Sequence, residues 1–354
     1  LTGTTGRYTM AEKVNFTDEH GYFSHPTFIE KAWRVPISFD ASSSIRNKVP
    51  LPRLMMPRRF FGKPLTVTEF NFCPPNPFRA ESGPLIGAYA ALQNWGGLWR
   101  FTWSHSEWRI KNIDPVMSFD AVNDPIQQLS DRIIISLFLR EDMKPAKEKI
   151  VFQTPRENQG RAISFPNELL DIGLNAQIGW NFTGDTLPIG ARLFHPGIRV
   201  AKNPQIQIDN NKGTFIVSTD RTETITLPSG SLSANTLQIK NASTFMTVAA
   251  ISRDRMPLTE SKDILIIHMT NISNSNASYD NNTTIRSWGN LPLLIEHGTA
   301  ELRLRGKSPW RVMALSLDGS ELAEIKGKFN NGLFSFKIDS GCFPGGVMAY
   351  HLTR

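Results

Sequence analysis

The sequence is poor in cysteine, with only Cys73 and Cys342 among 354 residues. Two distant cysteines supply neither the framework of a disulfide-rich domain nor the ligand spacing of a zinc site. We therefore expect two free thiols and no metal. No apolar run reaches about 18 residues, and the longest candidate is Ile133–Leu139, so the sequence predicts no membrane-spanning helix.

Several motifs that carry chemistry elsewhere are also missing. The sequence contains no glycine-rich phosphate loop, no dinucleotide fingerprint and no nucleophilic Ser or Cys constellation. We therefore expect no organic cofactor. These absences favour chemistry based on carboxylates, and a pair of carboxylates is the pattern of glycosidases.

The net charge of +7 does not identify a nucleic-acid partner. Acidic and basic residues are interspersed through most of the chain, which argues against a basic binding face. One uninterrupted basic stretch remains, at Arg46, Lys48, Arg53, Arg58, Arg59 and Lys63. It is either a solvated helical face or a surface that contacts an anionic group.

Strand-like and helix-like segments alternate through residues 1–145. Residues 1–10 are interpreted as the end of a strand with its loop. Further strands are predicted at residues 14–26, 64–72 and 97–104, and helices at residues 51–62, 81–95 and 124–140. The last helix begins with an Asp N-cap followed by Pro. Strands separated by helices are typical of a parallel α/β barrel.

The pattern changes after about residue 146. Residues 146–200 are irregular and predict a connector or an extra β layer. Residues 201–354 contain many short segments with period-two alternation, separated by turn residues and without helices. This pattern is typical of an antiparallel β-sandwich. The fold class is therefore α/β plus all-β, with barrel strands followed by a sandwich.

Glu69 is the main candidate for chemistry. It follows the strand-forming run Pro64-Leu-Thr-Val-Thr and precedes Asn71. A carboxylate at the C-terminal end of a barrel strand lies above the substrate cleft. The alternative is a strand-end Glu in a surface salt bridge. His20 and Tyr22 share one face of the preceding strand. They can bond a sugar hydroxyl and a carboxylate together, or they are structural.

Aromatic residues near Glu69 suggest sugar binding. On a strand, Trp99 and Trp103 would share a face with Phe101, and indole rings stack on the apolar faces of sugars. The alternative for both tryptophans is core filling. The loop at residues 27–50, which carries Trp33, is too long for a mere connection and is a candidate wall of the cleft.

These motifs together resemble a known family. His20-Gly-Tyr22, Thr-Val-Thr-Glu69-Phe and Trp99-Arg-Phe-Thr-Trp103 look like strands six, seven and eight of the clan A glycoside hydrolases, nearest to the family 5 and family 42 type. The resemblance implies that Glu69 is the nucleophile and that Tyr22 holds it. It implies that His20 binds sugar and that Trp103, or else Trp99, floors the subsite. Asn71 and Trp33 join them as candidate substrate-binding residues.

Other segments resemble large bacterial polysaccharide-degrading members with an appended sandwich, namely Asp18–Pro26 and Ala90–Trp95. This likeness implies a secreted, periplasmic or cell-surface bacterial protein. It also implies that no metal or organic cofactor is needed.

One departure from the family concerns the acid/base residue. Clan A enzymes carry it in an Asn-Glu pair at the end of strand four. No such pair occurs before residue 150, and Asn167-Glu168 lies in the region after the barrel. We therefore expect strands one to four and the acid/base Glu on an N-terminal half, in the same native polypeptide or in a second chain.

The expected function is that of a retaining glycoside hydrolase acting on a β-linked oligo- or polysaccharide, inactive without that N-terminal half. Two alternatives remain at this point. One is a catalytically inactive carbohydrate-binding protein that uses the same aromatic cleft. The other is a structural cell-surface module dominated by the sandwich.

Overall fold

The structure, a computed structural model, describes residues 13–158 and 163–354. The strand end expected at residues 1–10 lies outside the described residues. The described chain has a mixed, sheet-rich fold with 16% helix and 38% strand. None of its helices in these ranges is long and apolar enough to cross a membrane.

The first part of the described chain contains five strands and four α-helices. Its strands are β1 (Thr17–Phe23), β2 (Thr27–Phe28), β3 (Ile37–Ser38), β4 (Leu65–Phe72) and β5 (Gly97–Arg100). Its helices are α1 (Pro50–Met55), α2 (Ser82–Leu92), α3 (Glu107–Lys111) and α4 (Pro125–Ile134), and a π-helical turn at Ile135–Leu139 extends α4.

β1, β4 and β5 form a parallel sheet in that order. The predicted strand at residues 97–104 is too long, because β5 ends at Arg100. The ladder closes with a bond from the Phe101 N–H to the Phe70 carbonyl. Thr102 then pairs with Phe119 and Ala121 instead of β4. In the described chain this sheet stays open, with β1 and β5 as its edges.

Small residues let helices α2 and α4 pack closely. A Cβ added to Gly83 would lie 3.0 Å from the Ser130 Cα, and one added to Gly87 would lie 3.1 Å from the Ile134 Cα. The predicted start of α4 is confirmed, since the Asp124 side chain accepts from the Ile126 N–H and Pro125 opens the helix. The predicted small-residue helix is likewise present as α2.

Residues 149–193 add a second parallel sheet. Its strands are β6 (Lys149–Thr154), β7 (Gln177–Phe182) and β8 (Ala191–Leu193), with helix α5 (Asn167–Ile172) between β6 and β7. β6 lies in the centre and runs parallel to both neighbours. A bridge between Phe60 and Trp180 links this layer to the first part.

The remaining chain forms two large antiparallel sheets. The first has eight strands in the order β22-β21-β25-β15-β14-β11-β10-β9. In chain order these are β9 (Ile206–Asp209), β10 (Thr214–Ser218), β11 (Thr222–Leu227), β14 (Met246–Ser252), β15 (Asp263–Met269), β21 (Arg311–Leu315), β22 (Glu321–Ile325) and β25 (Ala349–Thr353).

The second large antiparallel sheet has five strands in the order β12-β13-β20-β24-β23. Its strands are β12 (Gly230–Ser233), β13 (Leu237–Ala242), β20 (Thr299–Arg305), β23 (Gly327–Asn330) and β24 (Leu333–Asp339).

Two small sheets complete the structure. β16 (Ile272–Ser275) pairs with β19 (Asn290–Ile295). β17 (Ser278–Asp280) and β18 (Thr284–Ser287) join β3 and β2 in a four-stranded sheet. The long loop at residues 27–50 is thereby fixed against the late part of the chain.

The central strands β10, β11, β14 and β15 of the eight-stranded sheet are buried on both faces. Alternate residues such as Phe215 and Ile267 face the core that contains α2 and α4. The intervening residues, such as Ile216 and Ile266, face the five-stranded sheet. The two sheets therefore form a sandwich, and the sandwich shares one continuous core with the α/β part.

Candidate functional site

A β-bulge places Glu69 beside the ring pair of β1. The register runs from Glu19 opposite Val67 to His20 opposite Glu69, so Thr68 is the extra residue. Before the bulge, even-numbered residues of β4 face Asp18, and after it Glu69 takes that face. Bulges re-aim side chains in this way. Glu69 thus meets the two β1 side chains on the face that they share.

Two side chains of β1 meet at one oxygen of Glu69. The Tyr22 hydroxyl donates to Oε2 of Glu69 at 2.5 Å. Nδ1 of His20 lies 3.2 Å from the same oxygen, and the Glu69 side chain is 31% exposed. The carboxylate is therefore held in one orientation while it stays within reach of solvent and of a ligand.

Tyr22 is fixed by aromatic neighbours. Its ring meets His25 edge-on at 5.2 Å, Phe119 at 5.6 Å and Phe101 at 6.2 Å between centroids. Burial, together with the hydrogen bond and charge of Glu69, raises the pKa of Tyr22 well above its ordinary value. The phenol therefore stays protonated and remains a donor to Glu69.

His20 connects Glu69 to a second carboxylate. Its Nε2 lies 3.2 Å from Oδ2 of Asp18 and 3.0 Å from the Thr68 hydroxyl. Asp18 also accepts from the hydroxyls of Thr66 and Thr68, each at 2.6 Å, and from the Thr68 N–H at 3.1 Å. The carboxylate of Asp18 is thus committed to orienting His20 and the bulge.

Asn71 is placed differently from Glu69. Its side chain is fully buried and donates to the carbonyls of Phe101 at 2.7 Å and Phe119 at 3.0 Å. Arg100 donates to its oxygen at 3.1 Å and pairs with Asp131 at 2.7 Å. Asn71 was expected to contact substrate, but its fully buried side chain does not face a space that a substrate could enter. Asn71 instead anchors the two rings that enclose Tyr22.

A cleft of about 370 Å³ opens beside the ring cluster. We call it the aromatic cleft, and its lining residues are Phe28, Trp33, Ile37, His105, Arg109, Met117, Ser118, Phe119, Asp120 and Trp288. Glu69 does not line it, but Phe119 belongs both to its wall and to the rings around Tyr22. The aromatic cleft and the Glu69 carboxylate are therefore neighbours.

The polar side chains at the aromatic cleft are joined by hydrogen bonds and ion pairs. Nδ1 of His105 lies 2.6 Å from Oδ1 of Asp120, which is 4% exposed. Arg109 donates to the other oxygen of Asp120 at 2.7 Å and contacts Asp114 at 3.0 Å. The aspartates balance the arginine, while the His105 side chain stays 47% exposed.

The three tryptophans expected at the site lie at three different positions. Trp33 lines the aromatic cleft, is 69% exposed and lies 6.1 Å from the Phe119 ring. Trp103 is 53% exposed and does not line that cleft. Trp99 lines another cleft, with Ile135 and Leu139 of the π-helical turn. The predicted common face fails because β5 ends before Phe101.

Several residues of the site are not marked by any pattern in the sequence. Phe119, His105 and Asp120 lie in the connection after β5, where no period or motif marks them. The backbone pairing of Thr102 with Phe119 and Ala121, together with the bond from Asn71 to the Phe119 carbonyl, brings this connection back to Tyr22. No metal-binding group of His, Cys, Asp and Glu occurs among the residues described.

No protein-family model, curated protein or solved structure matches the chain. The case for a function therefore rests on the residues and their geometry.

Proposed function

We propose that the chain carries the nucleophile-bearing part of a retaining glycoside hydrolase that acts on a β-linked oligo- or polysaccharide. One observation carries the proposal. Tyr22 and His20 converge on a single oxygen of Glu69, at the carboxyl ends of two adjacent parallel strands. A nucleophilic carboxylate must be held in one orientation, because its attack on the reacting carbon requires a defined geometry.

In this mechanism Glu69 attacks the anomeric carbon and forms a glycosyl-enzyme intermediate. A carboxylic acid about 5–5.5 Å away protonates the departing oxygen and then activates water. Tyr22 holds Glu69 throughout, and His20 is available to a sugar hydroxyl. Asp18 is committed to Thr66 and Thr68, which makes it unsuited to the acid role.

The acid/base residue would come from additional strands of the same sheet. Both edges, β1 and β5, are unpaired in the described chain. Phe16 beside β1 is 52% exposed, and Trp99 on β5 is 54% exposed. Unpaired parallel edges with exposed apolar groups favour completion by further strands. An N-terminal half bearing an Asn-Glu pair, in the same polypeptide or a second chain, would supply both.

The sheet order supports a partial (β/α)8 barrel. The strands β1, β4 and β5 lie side by side in chain order and in parallel, with helical segments between them. Consecutive barrel strands have this arrangement, and functional groups lie at their carboxyl ends. In such a barrel, β1, β4 and β5 would correspond to strands six, seven and eight. The substrate would be an extracellular polymer, so we place the protein outside the cytoplasm of a bacterium.

A second candidate function is carbohydrate binding without catalysis. Exposed indoles favour it, because Trp33 and Trp103 offer large apolar surfaces to a sugar ring. In this case the aromatic cleft holds the glycan, and Glu69 accepts hydrogen bonds from its hydroxyls.

A hydrolysis and binding screen separates these candidates. The native polypeptide that contains this chain is assayed against β-linked glycans, beside Glu69→Gln and the exposed control Glu321→Gln. We expect Glu69→Gln to retain binding while its turnover falls by several orders of magnitude. Turnover like that of the unmodified protein removes Glu69 as nucleophile. Binding without hydrolysis supports the second candidate, and neither activity would indicate a structural module.

A further inference from the structure

The aromatic cleft has two walls, and backbone pairing fixes both. One wall is the β2–β3 pair, in which Phe28 lies opposite Ile37, and β18 joins this pair just before Trp288. The other wall is the connection after β5, which the backbone bonds of Thr102 hold in place. The protein alone thus forms the cleft, as is usual for sites that bind small ligands.

Trp33 lies at the cleft in an unfavourable state. Its φ of 67° is in the left-handed region, where a bulky side chain is strained. It also remains 69% exposed, although it contacts the rings of Phe28 at 4.9 Å and Phe119 at 6.1 Å between centroids. Backbone strain is concentrated at functional sites. An exposed indole in a strained position therefore points to ligand contact rather than to core filling.

His105 offers a hydrogen-bond acceptor at the polar side of the cleft. Its Nδ1 lies 2.6 Å from Oδ1 of Asp120, and the same oxygen accepts from the His105 backbone N–H at 3.0 Å. A carboxylate only accepts, so Nδ1 carries the proton and Nε2 of the neutral ring keeps its lone pair. Asp120 is buried while the His105 side chain is 47% exposed, so Nε2 is left for a ligand donor.

The charges at the cleft are already paired. Arg109 donates to the second oxygen of Asp120 and also contacts Asp114. A single guanidinium thus has two carboxylates, and an anionic ligand would meet their repulsion without a free cation to offset it among the described lining residues. The cleft therefore suits an uncharged ligand with an apolar face and a hydroxyl, which is the chemistry of a neutral sugar.

The position of the cleft shows which sugar of a glycan it can hold. The Tyr22 hydroxyl contacts Glu69, and the Tyr22 ring meets Phe119 of the cleft wall. Two side chains therefore separate the cleft from the carboxylate. A sugar in the cleft is not the one that Glu69 attacks but a neighbour along the same glycan.

We propose that the aromatic cleft binds a neutral sugar unit beside the reacting one and that His105 determines its specificity. A sugar hydroxyl donates to Nε2 of His105, and an apolar ring face stacks on Trp33. This inference rests on the proposed function, which supplies the reacting sugar. It adds the substrate class, namely a β-linked glycan whose flanking unit carries neither carboxylate nor sulfate.

Calorimetric titration tests the charge preference of the cleft. The native polypeptide that contains this chain is used as Glu69→Gln, so that no ligand is hydrolysed. The ligands are β-linked gluco-, manno- and galacto-tetrasaccharides, each beside its counterpart oxidised to uronic acids at the primary hydroxyls. We expect at least one neutral tetrasaccharide to bind more tightly than its oxidised counterpart. Binding of the uronates alone, or of no member of the panel, would overturn the inference.

Two further changes in that background locate the bound sugar. His105→Phe keeps a ring beside Phe119 but removes the acceptor, and it should weaken binding about tenfold. Trp33→Gly removes the stacking surface and should weaken binding at least as much, while glycine suits the backbone at φ 67°. His297→Phe is the matched control, because His297 is also exposed and paired with an aspartate but does not line the cleft. Its affinity should equal that of the background protein.

Failure of this inference and failure of the proposed function give different results. Unchanged affinity in both His105→Phe and Trp33→Gly, or an equal loss in His297→Phe, overturns the cleft assignment even where turnover depends on Glu69. Turnover that does not depend on Glu69 overturns the proposed function. Selective loss of affinity in His105→Phe and Trp33→Gly would still support the sugar site in the cleft.

Discussion

The Tyr22 hydroxyl donates to Oε2 of Glu69 at 2.5 Å, although the two residues are 47 positions apart in the chain. The contact depends on the parallel pairing of β1 with β4 and on the bulge at Thr68. Without the bulge, the alternation of β4 would turn Glu69 to the opposite face. The bulge is therefore required to bring Glu69 to the face of the sheet that carries Tyr22.

Tyr22→Phe should lower turnover while leaving the fold intact. The variant keeps the ring contacts with His25 and Phe119 but removes the only hydroxyl donor seen on Glu69 in the described chain. A hydrogen bond to a charged group contributes about 1.5–3 kcal/mol, so kcat should fall about 10- to 100-fold with little change in KM. Steady-state kinetics of the complete enzyme measure this.

Tyr279→Phe is the matched control for that variant. Tyr279 is 42% exposed and packs on Phe39, far in the chain from the Glu69 site. Its kinetics should equal those of the unmodified enzyme. Equal kcat values for Tyr22→Phe and Tyr279→Phe would show that Tyr22 does not hold the reacting group.

Arg79→Met should destabilise the fold strongly. Arg79 and Asp124 form an ion pair with both side chains fully buried, and Arg79 also donates to Asn271 and to the Ile272 carbonyl. Removing one partner leaves a buried carboxylate uncompensated, which costs about 3–5 kcal/mol. Denaturant unfolding measures the loss. Arg311→Met breaks the exposed pair with Glu324 and should change stability little, whereas similar losses would contradict this account.

Stability should fall as the pH rises through neutrality because of Glu81. Burial raises the pKa of Glu81 from 4.5 to about 7, against the hydrogen bonds from Ser43 and Ile45. Between these values the folded state binds more protons than the unfolded state. The contribution of Glu81 to the free energy of unfolding therefore falls as pH rises from 4.5 through 7, by roughly 3 kcal/mol.

Glu81→Gln provides the check on that effect, because it imitates the protonated carboxyl at every pH. The midpoints of both proteins are measured by calorimetry from pH 4.5 to pH 8, and the midpoint of Glu81→Gln relative to that of the unmodified chain should rise as the pH increases. Parallel curves for the two proteins would rule out Glu81 as the source of the pH dependence.

His268 should set the acid limit of the sandwich. Its ring is fully buried on β15, and neither ring nitrogen has a hydrogen-bond partner among the described residues. Burial lowers the pKa of His268 from 6.5 to about 4, with Asp339 opposing. The unfolded state then binds more protons than the folded state, so stability is lost as pH falls from 6.5 through 4.

His268→Leu should move the midpoint of acid unfolding to a lower pH, because leucine cannot be protonated. His195→Leu is the control at an exposed position and should leave that midpoint unchanged. Circular dichroism during acid titration follows the transition. An unchanged midpoint in His268→Leu would assign the acid limit to other groups.

Much of the fold was predictable, because apolar alternation and turn residues mark the strands that are buried on one or both faces. The alternating segment Thr222–Leu227, for example, forms β11 over its whole length. β22 and β23 lack such a signal, because they are short, mostly exposed and lie at the edges of the two large sheets. Edge strands gain their structure from a neighbour rather than from their own pattern.

The site was predictable only in part. Glu69, Tyr22 and His20 were identifiable, because they follow or occupy strands with clear patterns. The bulge at Thr68 was not, since it arises from pairing between distant segments. The role of Asn71 was not predictable for the same reason, because its side chain donates to the backbone carbonyls of two residues that are distant in the chain, Phe101 and Phe119.

Covalent trapping tests the central proposal most directly. The complete enzyme, with the strands that bear the acid/base residue, is incubated with a panel of 2-deoxy-2-fluoro β-glycosyl fluorides, whose leaving group departs without an acid, and its peptides are analysed by mass spectrometry. We expect one fluoroglycosyl unit on the peptide that contains Glu69, and no label in Glu69→Gln. A label on another carboxylate, or no label from any sugar of the panel, would contradict the assignment of Glu69 as the nucleophile.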